Sequence, residues 1–129
     1  HDAMGWQNLG NIYANLLTAA DGADQYAINS YAQAVALDSA NPVLRTEFAN
    51  LLVKLSTSIK DEKQKAIYIN RAATEFQTAI QLKPDYASAY YNFAKLLESF
   101  GDFENAYTNM QKAISLLEPT NPDLSKANE

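Results

Sequence analysis

The chain contains no cysteine, so a disulfide framework, a thiolate metal site and a cysteine nucleophile are all excluded. Redox compartment is left undetermined, because a cysteine-free chain survives anywhere. Glycine and proline number only four each in 129 residues, which argues against a strand-and-turn architecture. The one histidine, His1, sits at the start of the chain and reads as a tag or terminus rather than a ligand or base. Basic runs are missing too. The net charge is −5 and the charges are scattered, so the Lys/Arg stripe that a nucleic acid needs is not there. No apolar run approaches the roughly 20 residues of a membrane span. His1-Asp2-Ala3-Met4 do not form a signal peptide, and no N-glycosylation sequon occurs. The compartment is thus open, as is whether the chain is part of something larger.

What is present is apolar and periodic. The apolar share is 47%, enough for one domain with a core and too short a chain for two. In "YYNFAKLLESFGDFENAYTNMQKAI" (Tyr90–Ile114), Phe93, Leu96, Leu97 and Phe100 recur at helical spacing and mark one apolar face. Gly101 is placed to end that helix in a left-handed cap. Asp102 is placed to cap the next, which carries Phe103, Ala106, Met110, Ala113, Ile114 and Leu117 and is ended by Pro119. Two helices joined so tightly form an antiparallel pair.

The same unit recurs twice upstream. "FANLL" at Phe48–Leu52 matches "FAKLL" at Phe93–Leu97, and "LGNIY" at Leu9–Tyr13 matches both with Gly10 in the small slot. The second helices align as Ala27/Tyr31/Ala34/Val35, Ala72/Phe76/Ala79/Ile80 and Ala106/Met110/Ala113/Ile114. Small residues recur there because two helices approach to about 8–10 Å only where the contact residues are small, with large neighbours filling the space beside them.

Trp6, Leu9, Gly10 and Tyr13, followed by Ala27, Tyr31 and Ala34, resemble the tetratricopeptide-repeat signature. Ala87–Thr120 resembles one whole 34-residue repeat without a gap, its proline one residue late at Pro119. The resemblance spans nearly the whole chain. It implies an all-α, helical-repeat solenoid of three antiparallel helix pairs, a right-handed superhelix, forming a single domain over 1–129. The repeats fall at about 3–41, 42–86 and 87–120. Residues 121–129 follow as the start of a further helix or a tail, because Asn121-Pro122-Asp123-Leu124 echoes Asn41-Pro42-Val43-Leu44. No polar-faced capping helix is legible there. That leaves an excised piece, or open ends that meet another copy.

The first two repeats are longer than the family period. Ala3 to Pro42 spans 39 residues and Pro42 to Ala87 spans 45, about five and eleven beyond it. The extra residues fall between paired helices, near Thr18–Asp24 and Ser56–Lys65. Asp61-Glu62-Lys63-Gln64 suits a capping box, and Ala66, Ile69, Ala72 and Ala73 continue the apolar face. The expectation is longer helices, by about one and three turns.

Catalytic and metal chemistry lack parts. The acid pairs Asp21/Asp24 and Asp61/Glu62 sit at expected helix starts, where they complement the helix dipole. The glycines form no phosphate loop. No enzyme, cofactor or metal site is expected. The resemblance instead implies a protein-interaction module with its concave face lined by the first helix of each repeat. Carried onto this chain, that face falls near Gln7, Asn8, Asn11 and Asn15, then Thr46, Glu47, Asn50, Val53 and Lys54, then Ser88, Tyr91, Asn92, Lys95, Glu98 and Ser99. Asparagine both donates and accepts, so Asn11 and Asn50 suit an extended peptide backbone. Family members that clamp a C-terminal carboxylate use a Lys and an Asn in one repeat, an Asn in the next, and a Lys and an Arg in the third, at positions matched here by Gln7, Asn11, Glu47, Ser88 and Asn92. Only Asn11 fits, so such a clamp is not expected. The alternative is a structural subunit that assembles head-to-tail through its repeat ends, with Trp6, Leu9 and Tyr13 at one end and Ala113, Leu116 and Leu117 at the other. Expected partners are therefore a protein or peptide, or further copies of the chain, and neither nucleic acid nor a membrane interior.

Overall fold

The computed structural model describes residues 3–15 and 22–118, with the backbone alone for 11–15 and 23. The described residues form six helices and no strand: α1 (Ala3–Asn15), α2 (Ala23–Leu37), α3 (Pro42–Ser56), α4 (Glu62–Leu82), α5 (Ala87–Ser99) and α6 (Phe103–Leu117).

Local chemistry sets the helix ends. The Asn41 side chain accepts from Leu44 N–H at 3.1 Å, with Pro42 in the first helical position, where a missing N–H costs nothing. Asp61 caps α4 through Lys63 N–H at 3.2 Å, and Asp102 caps α6 through Asn105 N–H at 3.3 Å. Gly101 has φ +80°. That left-handed turn lets Asp102 N–H reach Leu97 C=O at 3.0 Å and Gly101 N–H reach Glu98 C=O at 2.9 Å, closing α5 in a Schellman motif.

The helices pair as α1 with α2, α3 with α4 and α5 with α6, and the pairs stack through α2 on α3 and α4 on α5. The repeated small residues sit at these contacts: Ala27, Ala34, Ala49, Ala72 and Ala79 are wholly buried. Gly10 shows why the slot is small. A Cβ there would lie 2.5 Å from the Tyr31 ring. The large residues of α2 and α4 meet an aromatic on the next pair, Tyr31 stacking on Phe48 with centroids 6.0 Å apart and Phe76 on Phe93 at 5.8 Å.

One polar cluster lies in this core. Glu75, 2% exposed, accepts from Arg45 and from Arg71, each at 2.8 Å. Arg45 also donates twice to Ser39 C=O, at 3.1 and 3.0 Å, tying α3 and α4 to the turn before them. The Arg71 guanidinium lies 5.3 Å from the Phe48 ring centroid. A buried carboxylate is tolerated because both its oxygens are met by cations.

The second insertion is smaller in helix than expected. At 21 residues, α4 exceeds α6 by six, under two turns rather than three. The rest is shared out: α3 is two residues longer than α5, and the α3–α4 link is five residues (57–61) against three (100–102). Lengthening both helices of the pair keeps their contact in register. The first insertion does not lengthen α2, which has the same 15 residues as α6; positions 16–21 lie outside the described residues. So do Asp21, Pro119 and the proposed helix start at Asn121–Leu124.

Candidate partner-binding surface

The first helices of the three pairs form the inner row of the stack. α3 packs directly on α5, and Gln7 of α1 hydrogen-bonds Glu47 of α3. The second helices α2, α4 and α6 share no comparable contact. Elements that touch lie on the short side of a curve and those that splay lie on the long side, so the inner row faces the concavity.

α3 has neighbours on both flanks, and only a narrow strip of it stays open: Val43, Glu47, Asn50 and Lys54, at spacings of four, three and four. Val43 is 43% exposed, and Asn50 and Lys54 are exposed. Thr46 is off that strip, which corrects its expected place on the open face. It is 2% exposed, and its hydroxyl donates to Pro42 C=O at 2.9 Å. On α5 the open strip holds Ser88, Tyr91, Lys95 and Glu98. Tyr91 is 43% exposed, with the Lys95 ammonium 5.6 Å from its ring centroid. Asn92 is half-buried, and its amide donates to Ser88 C=O at 2.8 Å and Ser88 Oγ at 3.3 Å, so its donor capacity is largely spent on its own helix. Of the Asn11/Asn50 row, Asn50 is placed; the side chains of Asn11 and Asn15 lie outside the described residues.

Glu47 joins α1 to α3 at the middle of this row. One carboxylate oxygen accepts from the Gln7 amide. Burial pushes its carboxyl above the usual glutamate value, and the Gln7 hydrogen bond offsets part of that. The sequence pattern does not single out Val43; it names Gln7 and Glu47 separately but not their pairing, which joins positions 40 apart.

The repeat ends are rearranged relative to expectation. Trp6 is half-buried and packed on the core, and Leu9 is also half-buried. Tyr13's side chain lies outside the described residues. Ala113 is 1% exposed and unavailable, because it fills the small slot between α5 and α6. Leu116 is half-buried. Leu117 is open at 73% and completes a stripe with Phe103, Tyr107, Met110 and Ile114, spaced four, three, four and three. A groove of about 230 Å³ runs beside it, lined by Ala94, Glu98, Phe103, Ala106, Tyr107 and Met110. No described helix is long and apolar enough to cross a membrane.

Residues 87–116 match the family model for the tetratricopeptide repeat. The chain has the helical-repeat fold of tetratricopeptide-repeat proteins, and its third helix pair carries the family's sequence pattern. Its sequence is 30% identical over 103 residues to the "Protein STIP1 homolog" of Dictyostelium discoideum, covering 80% of this chain but 16% of that protein. The repeat architecture superposes on the first TPR of Spaghetti (RPAP3) bound to the HSP90 peptide SRMEEVD. The TM-score is 0.70 at 22% identity, with 98% of this chain and 86% of that chain covered. It also superposes on the second TPR domain of human RPAP3 in complex with the HSP70 peptide SGPTIEEVD, at TM-score 0.63 and 20% identity, covering 98% of both chains. At such identities these structures establish the shared fold.

Proposed function

We propose that this tetratricopeptide-repeat domain is a non-catalytic interaction module that holds an extended peptide segment along the inner row of first helices. The observation that carries the reading is the pair of open strips on α3 and α5. Asn50 offers a donor and an acceptor to a peptide backbone, and the exposed Tyr91 ring offers a flat apolar surface on the neighbouring helix α5. The RPAP3 domains of the same fold hold peptides, which favours the same use here. Fluorescence anisotropy with randomised octapeptide pools tests it. Asn50→Ala combined with Tyr91→Ala is expected to weaken binding at least tenfold with helicity unchanged, as loss of a hydrogen bond and an aromatic contact implies. Binding that survives the double variant unchanged points elsewhere on the molecule.

The α6 stripe favours a second reading, head-to-tail assembly through the repeat ends. Five apolar side chains at helical spacing on α6, the last described helix, suit another helix laid across them. This reading expects molar mass to rise with concentration, and Leu117→Glu to hold the chain at the 14.3 kDa of a monomer. A mass constant at 14.3 kDa across the range in the unaltered chain rejects it.

A further inference from the structure

Resting on the peptide-binding reading, we infer that the inner-row site selects a basic peptide, with Glu47 receiving a lysine or arginine side chain. Glu47 is half-buried in the open strip of α3, and Gln7 occupies one of its two oxygens. Among the described residues both ion pairs converge on Glu75, and no cation pairs with Glu47. Arg45, two residues before it, is engaged by Glu75 and Ser39 C=O. Lys54 shares its strip but lies seven residues on, about 10 Å along the helix and about one screening length away. Lys95 is on α5, above the Tyr91 ring.

Glu47 is therefore a partly desolvated anion without a counter-charge among the described residues. Such a group is costly, and an incoming cation relieves the cost. Its raised carboxyl value has the same cause. With one oxygen held by Gln7, the other makes a one-point contact, which either an ammonium or one edge of a guanidinium satisfies. The net charge of −5 draws cationic segments toward the domain and repels anionic ones. An acidic peptide would bring like charge to Glu47.

Three octapeptide pools test this, identical except for one central position fixed as Lys, Gln or Glu. Anisotropy titrations use the full chain at low and moderate salt. The Lys pool is expected to bind about tenfold tighter than the Gln pool, with the Glu pool weakest. Glu47→Gln is expected to bring the Lys and Gln pools within about twofold of each other, and Glu47→Lys to reverse the order of Lys and Glu. Glu104→Gln, an exposed acid on α6, changes net charge equally and is expected to leave the preference intact. Equal binding of all pools by the unaltered chain overturns the inference while leaving peptide binding standing. Equal loss of preference in Glu47→Gln and Glu104→Gln also overturns it, because selectivity would then come from overall charge. If no pool binds, the peptide reading fails and the inference with it.

Discussion

Single positions show how little slack the stack has. Gly10 occupies the small slot opposite Tyr31, whose ring is held in turn by Phe48. Gly10→Ala gains about 1 kcal/mol in helix propensity, but its Cβ would meet that ring at 2.5 Å. Overpacking costs about 1–3 kcal/mol and the ring has nowhere to turn, so we expect a lower urea midpoint. Glu47 gives a pH test. Burial raises its folded-state value above the unfolded one, so the folded chain holds the proton more tightly. The associated stability is present in full below the unfolded glutamate range and is lost as pH rises through the folded value. Glu47→Gln is thus expected to raise the melting temperature at neutral pH. Melting curves should converge as pH falls below the carboxylate range; a constant offset at every pH would assign the effect to something other than ionisation. Residue identity made Gly10 legible as a small-slot position. The resemblance put Glu47 on the inner face, but not its burial or its partner, because the carboxylate's environment depends on Gln7, 40 residues away.

Elements follow rules of short range, and most were therefore readable. Caps at Asp61 and Asp102 and the glycine stop at Gly101 depend on neighbours two to five residues away. Asp102→Ala removes the carboxylate that accepts from Asn105 N–H and also holds the Asn105 side chain at 2.9 Å. It should cost about 1 kcal/mol and lower the unfolding midpoint, with helicity retained in the native baseline. An unchanged midpoint would mean that water caps α6 equally well. Element length was read less well. Apolar spacing upstream of Ala72 shows that α4 can extend, but where it starts depends on packing against the last turn of α3, where Leu55 and Tyr68 are both buried.

At the scale of the molecule, stability should be graded along the stack. The α3–α4 pair has neighbours on both sides, and Phe76, fully buried, stacks on Phe93. Met110 holds the equivalent place in α6, but it is half-buried within the open stripe. Phe76→Ala is expected to cost about 3–5 kcal/mol and Met110→Ala distinctly less. Amide hydrogen exchange should be slowest in α3 and α4 and faster in α6, as expected where units are stabilised by nearest neighbours. Uniform protection across α3–α6 would instead indicate a fully cooperative block.

The sequence by itself determined six helices in three pairs, the alternation of small and large residues at their contacts, and most of the caps. Each rests on periodicity or on hydrogen bonds between near neighbours. Only the tertiary structure decided which strip of α3 stays open, why Thr46 is buried and Val43 exposed, and how Arg45, Arg71 and Glu75 meet. It alone decided too that Glu47 lies beside Gln7, with no cation paired to it among the described residues. Those outcomes depend on which helices flank a given helix, and burial and electrostatic pairing are set by neighbours in space.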